Sequence, residues 1–168
     1  MKILVTGPES AGKSTVARGL AWALDGLYVE EQARSYLHAR GGDYTVDDLP
    51  KILDRQIAAE RRACATGAAF ILCDTGPEVI RVWSEVRFGS LDSAVEIAFR
   101  KVRYDLTLLC TPDLPWAYDQ LRESSNLEER QEHFDRYREL LPHAAIIDGD
   151  HRLEDALAVV LEWIEGAR

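Results

Sequence analysis

The sequence predicts a three-layer α/β/α domain with a five-stranded parallel sheet, on three observations. Short apolar runs alternate with helix-length amphipathic stretches five times, the order that builds a parallel sheet covered on both faces. The runs are continuously apolar rather than alternating, as in strands buried on both sides. A glycine-rich loop stands between the first run and the first helical stretch.

The elements follow in order. Ile3-Leu4-Val5 is a short buried strand, and Thr15 to Leu24 is a helix stopped by Asp25-Gly26. Leu27-Tyr28-Val29 is a second strand; Glu31 to Ala39 is a helix ending at Gly41-Gly42. A longer helix begins near Asp47, with Pro50 in its first turn and Val46, Leu49, Leu53 and Ile57 at helical spacing. Ala68 to Cys73 is the strongest strand, followed by helical stretches at Glu78–Val86 and about Leu91–Lys101. Asp105 to Cys110 is a strand ended by Thr111-Pro112, and a charged helical segment spans Trp116 to Leu141. Ala144 to Ile147 is the last strand; the final helix carries Leu153, Leu157, Val160, Leu161 and Ile164 on one face. Trp22, Trp83 and Trp163 fall in helical stretches and are expected in the core.

The 168 residues suffice for a single domain, 1–168, with one buried core. The net charge of −9 spreads its arginines over an acidic background and argues against a nucleic-acid partner. Apolar stretches are strand-sized, so no membrane span is expected, and the start does not read as a signal peptide. Cys64, Cys73 and Cys110 show no CxxC spacing, and Cys73 and Cys110 lie inside apolar runs. Buried thiols in a reducing compartment, and hence a cytoplasmic protein, are the expectation.

Gly7-Pro8-Glu9-Ser10-Ala11-Gly12-Lys13-Ser14 matches GxxxxGK[ST] at every fixed position, between a strand and a helix. Glycines let backbone N–H groups wrap an anion, and the helix N-terminus adds its dipole. Gly7, Glu9, Ser10, Ala11, Gly12, Lys13, Ser14 and Thr15 are thus the expected ATP cradle, with Lys13 reaching the β and γ phosphates and Ser14 ligating Mg²⁺. GTPase switches would need NKxD and DxxG, and neither string occurs. ATPase motors need sensor elements that 168 residues do not accommodate. A P-loop kinase fold with a helical lid at about 120–138 remains.

The lid candidate runs from Arg122-Glu123-Ser124 through Arg130 to Arg136 and Arg138. An arginine closing over a γ-phosphate supplies charge stabilisation and excludes water, although alternating Glu and Arg also describe a solvated helix face. Asp74 ends the third strand, where a carboxylate holds Mg²⁺ or caps the next helix. Glu30 or Glu31 can accept the proton of an acceptor hydroxyl, with Arg34 one turn on, or they form an ordinary acidic first turn. Trp116 offers a flat face for a ring or packs in a hinge; Asp119 binds sugar hydroxyls or caps the lid helix. The loop Asp148–Arg152 is expected near the adenine, and the four histidines show no metal spacing.

Taken together, these segments resemble the NadR-like ribosylnicotinamide kinase domains. The resemblance rests on Gly7–Thr15, Glu31-Gln32-Ala33-Arg34, Cys73-Asp74-Thr75, Tyr104–Leu108 and Trp116-Ala117-Tyr118-Asp119-Gln120-Leu121-Arg122, and runs from Met1 to about Ile147. It implies phosphorylation of nicotinamide riboside by ATP·Mg²⁺ to nicotinamide mononucleotide, in NAD salvage. Glu31 would orient the ribose 5′-hydroxyl, Trp116 would lie against the nicotinamide, Asp119 near the sugar, and Arg122 and Arg130 over the phosphates. The HxGH motif of the family's adenylyltransferase half occurs nowhere, so only the kinase carries over. Two alternatives stay open. One is a deoxynucleoside or nucleoside-monophosphate kinase, with Arg40, Arg81 or Arg87 gripping an acceptor phosphate. The other is a non-catalytic nucleotide-binding switch. Oligomeric state is left open.

Overall fold

The computed structural model describes residues 1–122 and 124–166. Five strands, β1 (Lys2–Thr6), β2 (Leu27–Val29), β3 (Ile71–Asp74), β4 (Leu106–Cys110) and β5 (Ala145–Ile147), form one sheet in the order β2-β3-β1-β4-β5. All four pairings are parallel. Successive residues of β1 face opposite layers. Ile3 and Val5 join the core under α1 (Lys13–Ala23) and α7 (Arg152–Gly166), while Leu4 packs with Ile71 and Cys73 on the other side. That second layer holds α2 (Gln32–His38), α3 (Leu49–Ala65), α4 (Pro77–Phe88), α5 (Ser93–Lys101) and α6 (Leu127–Leu140). The predicted three-layer P-loop kinase fold with a five-stranded parallel sheet is therefore the observed one.

Several boundaries move, each for a local reason. β3 starts at Ile71 rather than Ala68, because Lys2, the first paired residue of β1, stands opposite Ile71 and leaves Ala68–Phe70 without a β1 partner. The long helix is preceded by a 3₁₀ turn, Val46–Asp48, closed by a capping box between Thr45 and Asp48. The expected helix from Trp116 does not form: among the described residues, regular helix starts only at Leu127. Asn126 caps it by accepting from Glu128 N at 2.9 Å, and upstream the Asp119 carboxylate accepts from Leu121 N at 3.0 Å. Such local side-chain bonds hold the backbone in turns instead of helix. Glu123, part of the expected lid, lies outside the described residues.

Two tryptophans leave the core assigned to them. The buried stripe of α1 runs through Val16, Ala17, Leu20 and Ala21, and position 22 points nearly opposite, so Trp22 is 88% exposed. Trp163 is also exposed, as is Leu161, since α7 turns Ala156 and Val160 inward. Cys73 and Cys110 are buried free thiols, as expected; Cys64 is exposed. Among the described residues no helix is long and apolar enough to cross a membrane.

Candidate active site

The strand tips set the site. Register places Val5 level with Asp74 and Val29 level with Cys73. The loop leaving β1, the acid ending β3 and the Glu30-Glu31 pair after β2 therefore emerge side by side. The strand order reverses beside β1, where sheets of this kind open a crevice.

The first-loop geometry is that of an anion cradle. Gly7 has φ +139°, and a Cβ there would stand 2.4 Å from the Cys110 carbonyl oxygen, so the loop hugs β4 as only glycine allows. Gly12, at φ +77°, turns the chain into α1, whose first residues Lys13, Ser14 and Thr15 line a cavity of about 500 Å³. First-turn N–H groups of a helix have no partner of their own and favour an anion. Lys13 Nζ lies 2.8 Å from the Pro8 carbonyl. Gly7, Glu9, Ser10 and Gly12 line the same cavity, while Ala11 is buried beneath it.

A buried arginine that the sequence reading passed over braces this loop. Arg152, in the segment expected near the adenine, donates to the carbonyls of Ala11, Thr111 and Ile147, each at 3.2 Å, and pairs with Asp113. Gly149 N also donates to Asp113, at 2.8 Å. Only the position of Arg152 just past the last strand hinted at this.

The two acid arms face the cradle. Glu31 lines the cavity, whereas Glu30 is exposed and 3.9 Å from Arg18. Burial pushes the Glu31 carboxyl above the usual range, with Lys13 and Arg34 opposing the shift and Asp74 and Glu9 adding to it. Those four groups therefore lie close enough to act on one charge. Asp74 is buried; its Oδ2 accepts from Tyr28 OH at 2.7 Å, while its Oδ1 is buried with no hydrogen-bond partner among the described residues. Thr75 follows at φ +66°, a strained conformation for a β-branched residue.

This donor set suits magnesium. Among the described residues no cluster of three His, Cys, Asp or Glu side chains forms. A hard cation here would rest on one unpartnered carboxylate oxygen and the Ser14 hydroxyl, with bound phosphates and water supplying the rest, the usual arrangement for Mg²⁺.

The lid candidates separate. Arg122 lines the cavity and donates to the Ala117 carbonyl. Arg130 is neither solvated nor in the lining: it is buried and donates to the Leu114 carbonyl at 3.2 Å. Arg136 and Arg138 are exposed. The lid segment is tied down to the cradle, since Ser124 N donates to Glu9 at 2.9 Å and Ala117 N to Ser10 at 3.3 Å. Arg34 pairs with Asp119 at 2.7 Å, so α2 and the lid segment are clamped together.

Part of the cavity wall is aromatic, but not through Trp116. Trp116 is half-buried outside the lining, edge-on to Tyr118, with its Nε1 buried and without a hydrogen-bond partner among the described residues. Trp83 and Tyr44 form the wall instead, ring centroids 5.8 Å apart. Trp83 reads as a core residue because its neighbours Val79, Ile80 and Val82 are buried. Of the three arginines considered for an acceptor phosphate, Arg87 lines the cavity, 4.4 Å over Tyr44. Arg81 pairs with Glu85 and Glu96, and Arg40 lies 3.4 Å from Asp48.

No curated protein matches the sequence. Among solved structures, the chain is similar to NadR protein in complex with NR, with TM-score 0.84 and 24% identity over 96% of this chain and 51% of that one. NadR protein in complex with NAD and AMP-PNP gives TM-score 0.80 at 24% identity, over 96% and 49%. Deoxyadenosine kinase from M. mycoides with bound dATP gives 0.61 at 15% identity, over 95% and 98%. The chain spans about half the length of the NadR chains it matches. These likenesses are of fold. A family model described as an AAA domain matches residues 2–147, a span that takes in all five strands, the cradle and both acid arms, and the chain belongs to that AAA-domain family.

Proposed function

We propose that the chain is an ATP- and Mg²⁺-dependent kinase that phosphorylates the 5′-hydroxyl of nicotinamide riboside, giving nicotinamide mononucleotide and ADP. The observation that carries this is one cavity lined together by an anion cradle, a carboxylate and an aromatic wall: Lys13 and Ser14, Glu31, and Trp83 with Tyr44. Glu31 takes the hydroxyl proton as the oxygen bonds to the γ-phosphorus and the bond from phosphorus to the β–γ bridging oxygen breaks. Burial raises its pKa and so makes its carboxylate a stronger base than a solvated one. Lys13 and Arg122 balance charge on the phosphates, and Asp119 fixes Arg34 beside the acceptor. Magnesium, held by Ser14 and Asp74, would neutralise the β and γ oxygens. The likeness to NadR in complex with NR supports the acceptor.

Arg87 on the acceptor wall, with the likeness to deoxyadenosine kinase, favours a second reading, a deoxynucleoside or nucleoside-monophosphate acceptor. Purified protein with Mg·ATP and a panel of nicotinamide riboside, nicotinic acid riboside, deoxynucleosides and their monophosphates separates the two. Nicotinamide riboside is expected to have the largest kcat/KM, and Lys13→Ala to lower it at least a hundredfold. No turnover of either pyridine riboside would overturn the assignment.

A further inference from the structure

We propose that Gln56 is a positioning residue that locks the Glu31 arm and the Asp74 arm of the site into one register. This deepens the phosphotransfer reading and rests on it. Helix α3 buries one face, through Leu49, Ile52 and Leu53, and then continues that face with Gln56, which is 3% exposed. An amide withdrawn from water is costly unless its bonds are made.

Here they are made to two backbones. Gln56 Oε1 accepts from Gln32 N at 3.0 Å. Gln32 is the first residue of α2, directly after Glu31, and the Glu31 side chain caps no N–H of that helix. Gln56 thus satisfies one of the N–H groups that a helix start leaves open. Gln56 Nε2 donates to Thr75 O at 3.2 Å, at the residue after Asp74 whose φ of +66° needs holding. Its other N–H faces Glu60 Oε1 at 3.4 Å.

Glu60 makes the arrangement one-way. It is buried and receives Tyr104 OH at 2.9 Å and Lys2 Nζ at 3.1 Å, so it only accepts. The amide must turn its NH₂ toward Glu60 and Thr75 and its oxygen toward Gln32. Gln56 therefore bridges the base of β1, the turn that aims Asp74, and the turn that aims Glu31.

The test separates aiming from mere stability. Wild type, Gln56→Met and Gln56→Asn, whose amide is one methylene too short to span both arms, are titrated with a non-hydrolysable ATP analogue in EDTA and across magnesium concentrations. Acceptor kinetics and amide exchange at Gln32 are measured alongside. Both variants should bind the metal-free analogue within twofold of wild type, because the cradle is untouched. Their half-saturating magnesium should rise about tenfold, kcat should fall about tenfold or more, and the Gln32 amide should exchange faster. If Gln56→Met does not fold, Gln56→Asn decides by the same shift. Unchanged magnesium half-saturation, or metal-free affinity and Tm falling in step, would overturn the proposal. A wild type that binds no ATP analogue at all would overturn the phosphotransfer reading first, and this proposal with it.

Discussion

Glu78 shows how far one side chain can depart from its solution chemistry. It sits in the first turn of α4 and is fully buried, its carboxylate accepting from Gly76 N at 2.9 Å, with Glu60 adding like charge nearby. The hydroxyls of Tyr104 and Tyr137 are pushed upward partly by the same Glu78 charge. Burial outweighs the stabilising bonds and raises the Glu78 carboxyl to about 7. Its proton is held more tightly in the folded chain than in the unfolded one. The resulting stability is fully present below the unfolded value of 4.5 and is lost as pH rises toward 7. Glutamine keeps the acceptor for Gly76 and never ionises. In urea melts, wild type should lose about 3 kcal/mol relative to Glu78→Gln between pH 4.5 and 8, at about 1.4 kcal/mol per tenfold change in proton affinity. A difference that stays flat with pH would show that the carboxyl titrates normally.

At the scale of elements, the cradle depends on close approach of a loop to a strand. A Cβ on Gly7 would meet the carbonyl oxygen of Cys110, a backbone atom inside β4 that cannot swing aside, and φ +139° is closed to other residues. On Gly12 the nearest atom is the tip of Leu114 at 3.0 Å, which can yield, leaving mainly the left-handed cost of about 1–2 kcal/mol. Gly7→Ala should therefore abolish ATP-analogue binding and lower Tm more than Gly12→Ala does, as read by thermal shift with and without analogue; equal effects would contradict the close-packing account. The glycine string was legible because such positions admit few residues. So were the strands, because burial on both faces forces continuous apolar runs. The lid was not. Glu and Arg alternation from Trp116 onward fits a helix as well as it fits a chain pinned by Asp119 and Asn126. Gln56 was invisible for a related reason: a glutamine at helical spacing carries no mark of burial until the backbones it serves are in place. The aromatic wall was misjudged because a tryptophan among apolar residues of a helical stretch, like Trp83, reads as core, and only the assembled fold shows that it also faces the cavity.

For the molecule as a whole, the question is whether cradle, aromatic wall and lid segment respond as one body. The contacts say that they do. Glu9 and Ser10 bind the lid segment from the cradle, Arg34 binds it from α2 through Asp119, and Arg152 ties the cradle to α7. Trp83 packs against two of the core clusters at once. A ligand that fills the cavity meets Glu9, Ser10, Arg34 and Trp83, and through them the groups they hold, so its binding energy should stabilise the entire domain instead of one loop. By mass action, an ATP analogue with magnesium at a hundredfold its Kd adds about 2.7 kcal/mol, or roughly 5–10 °C in Tm for a domain of this length. The melt should remain a single transition, coincident by far-ultraviolet circular dichroism and tryptophan fluorescence, since Trp83 reports the cavity while Trp22 reports the outer face of α1. Arg34→Ala cuts the clamp between α2 and the lid segment without touching the cradle. It should bind the analogue more weakly and, at the same analogue concentration, show a smaller rise in Tm, because a lid held from one side adds less to the binding energy. A full rise in that variant would mean that the lid contributes nothing to the coupling, and two separated transitions in wild type would mean that it unfolds on its own.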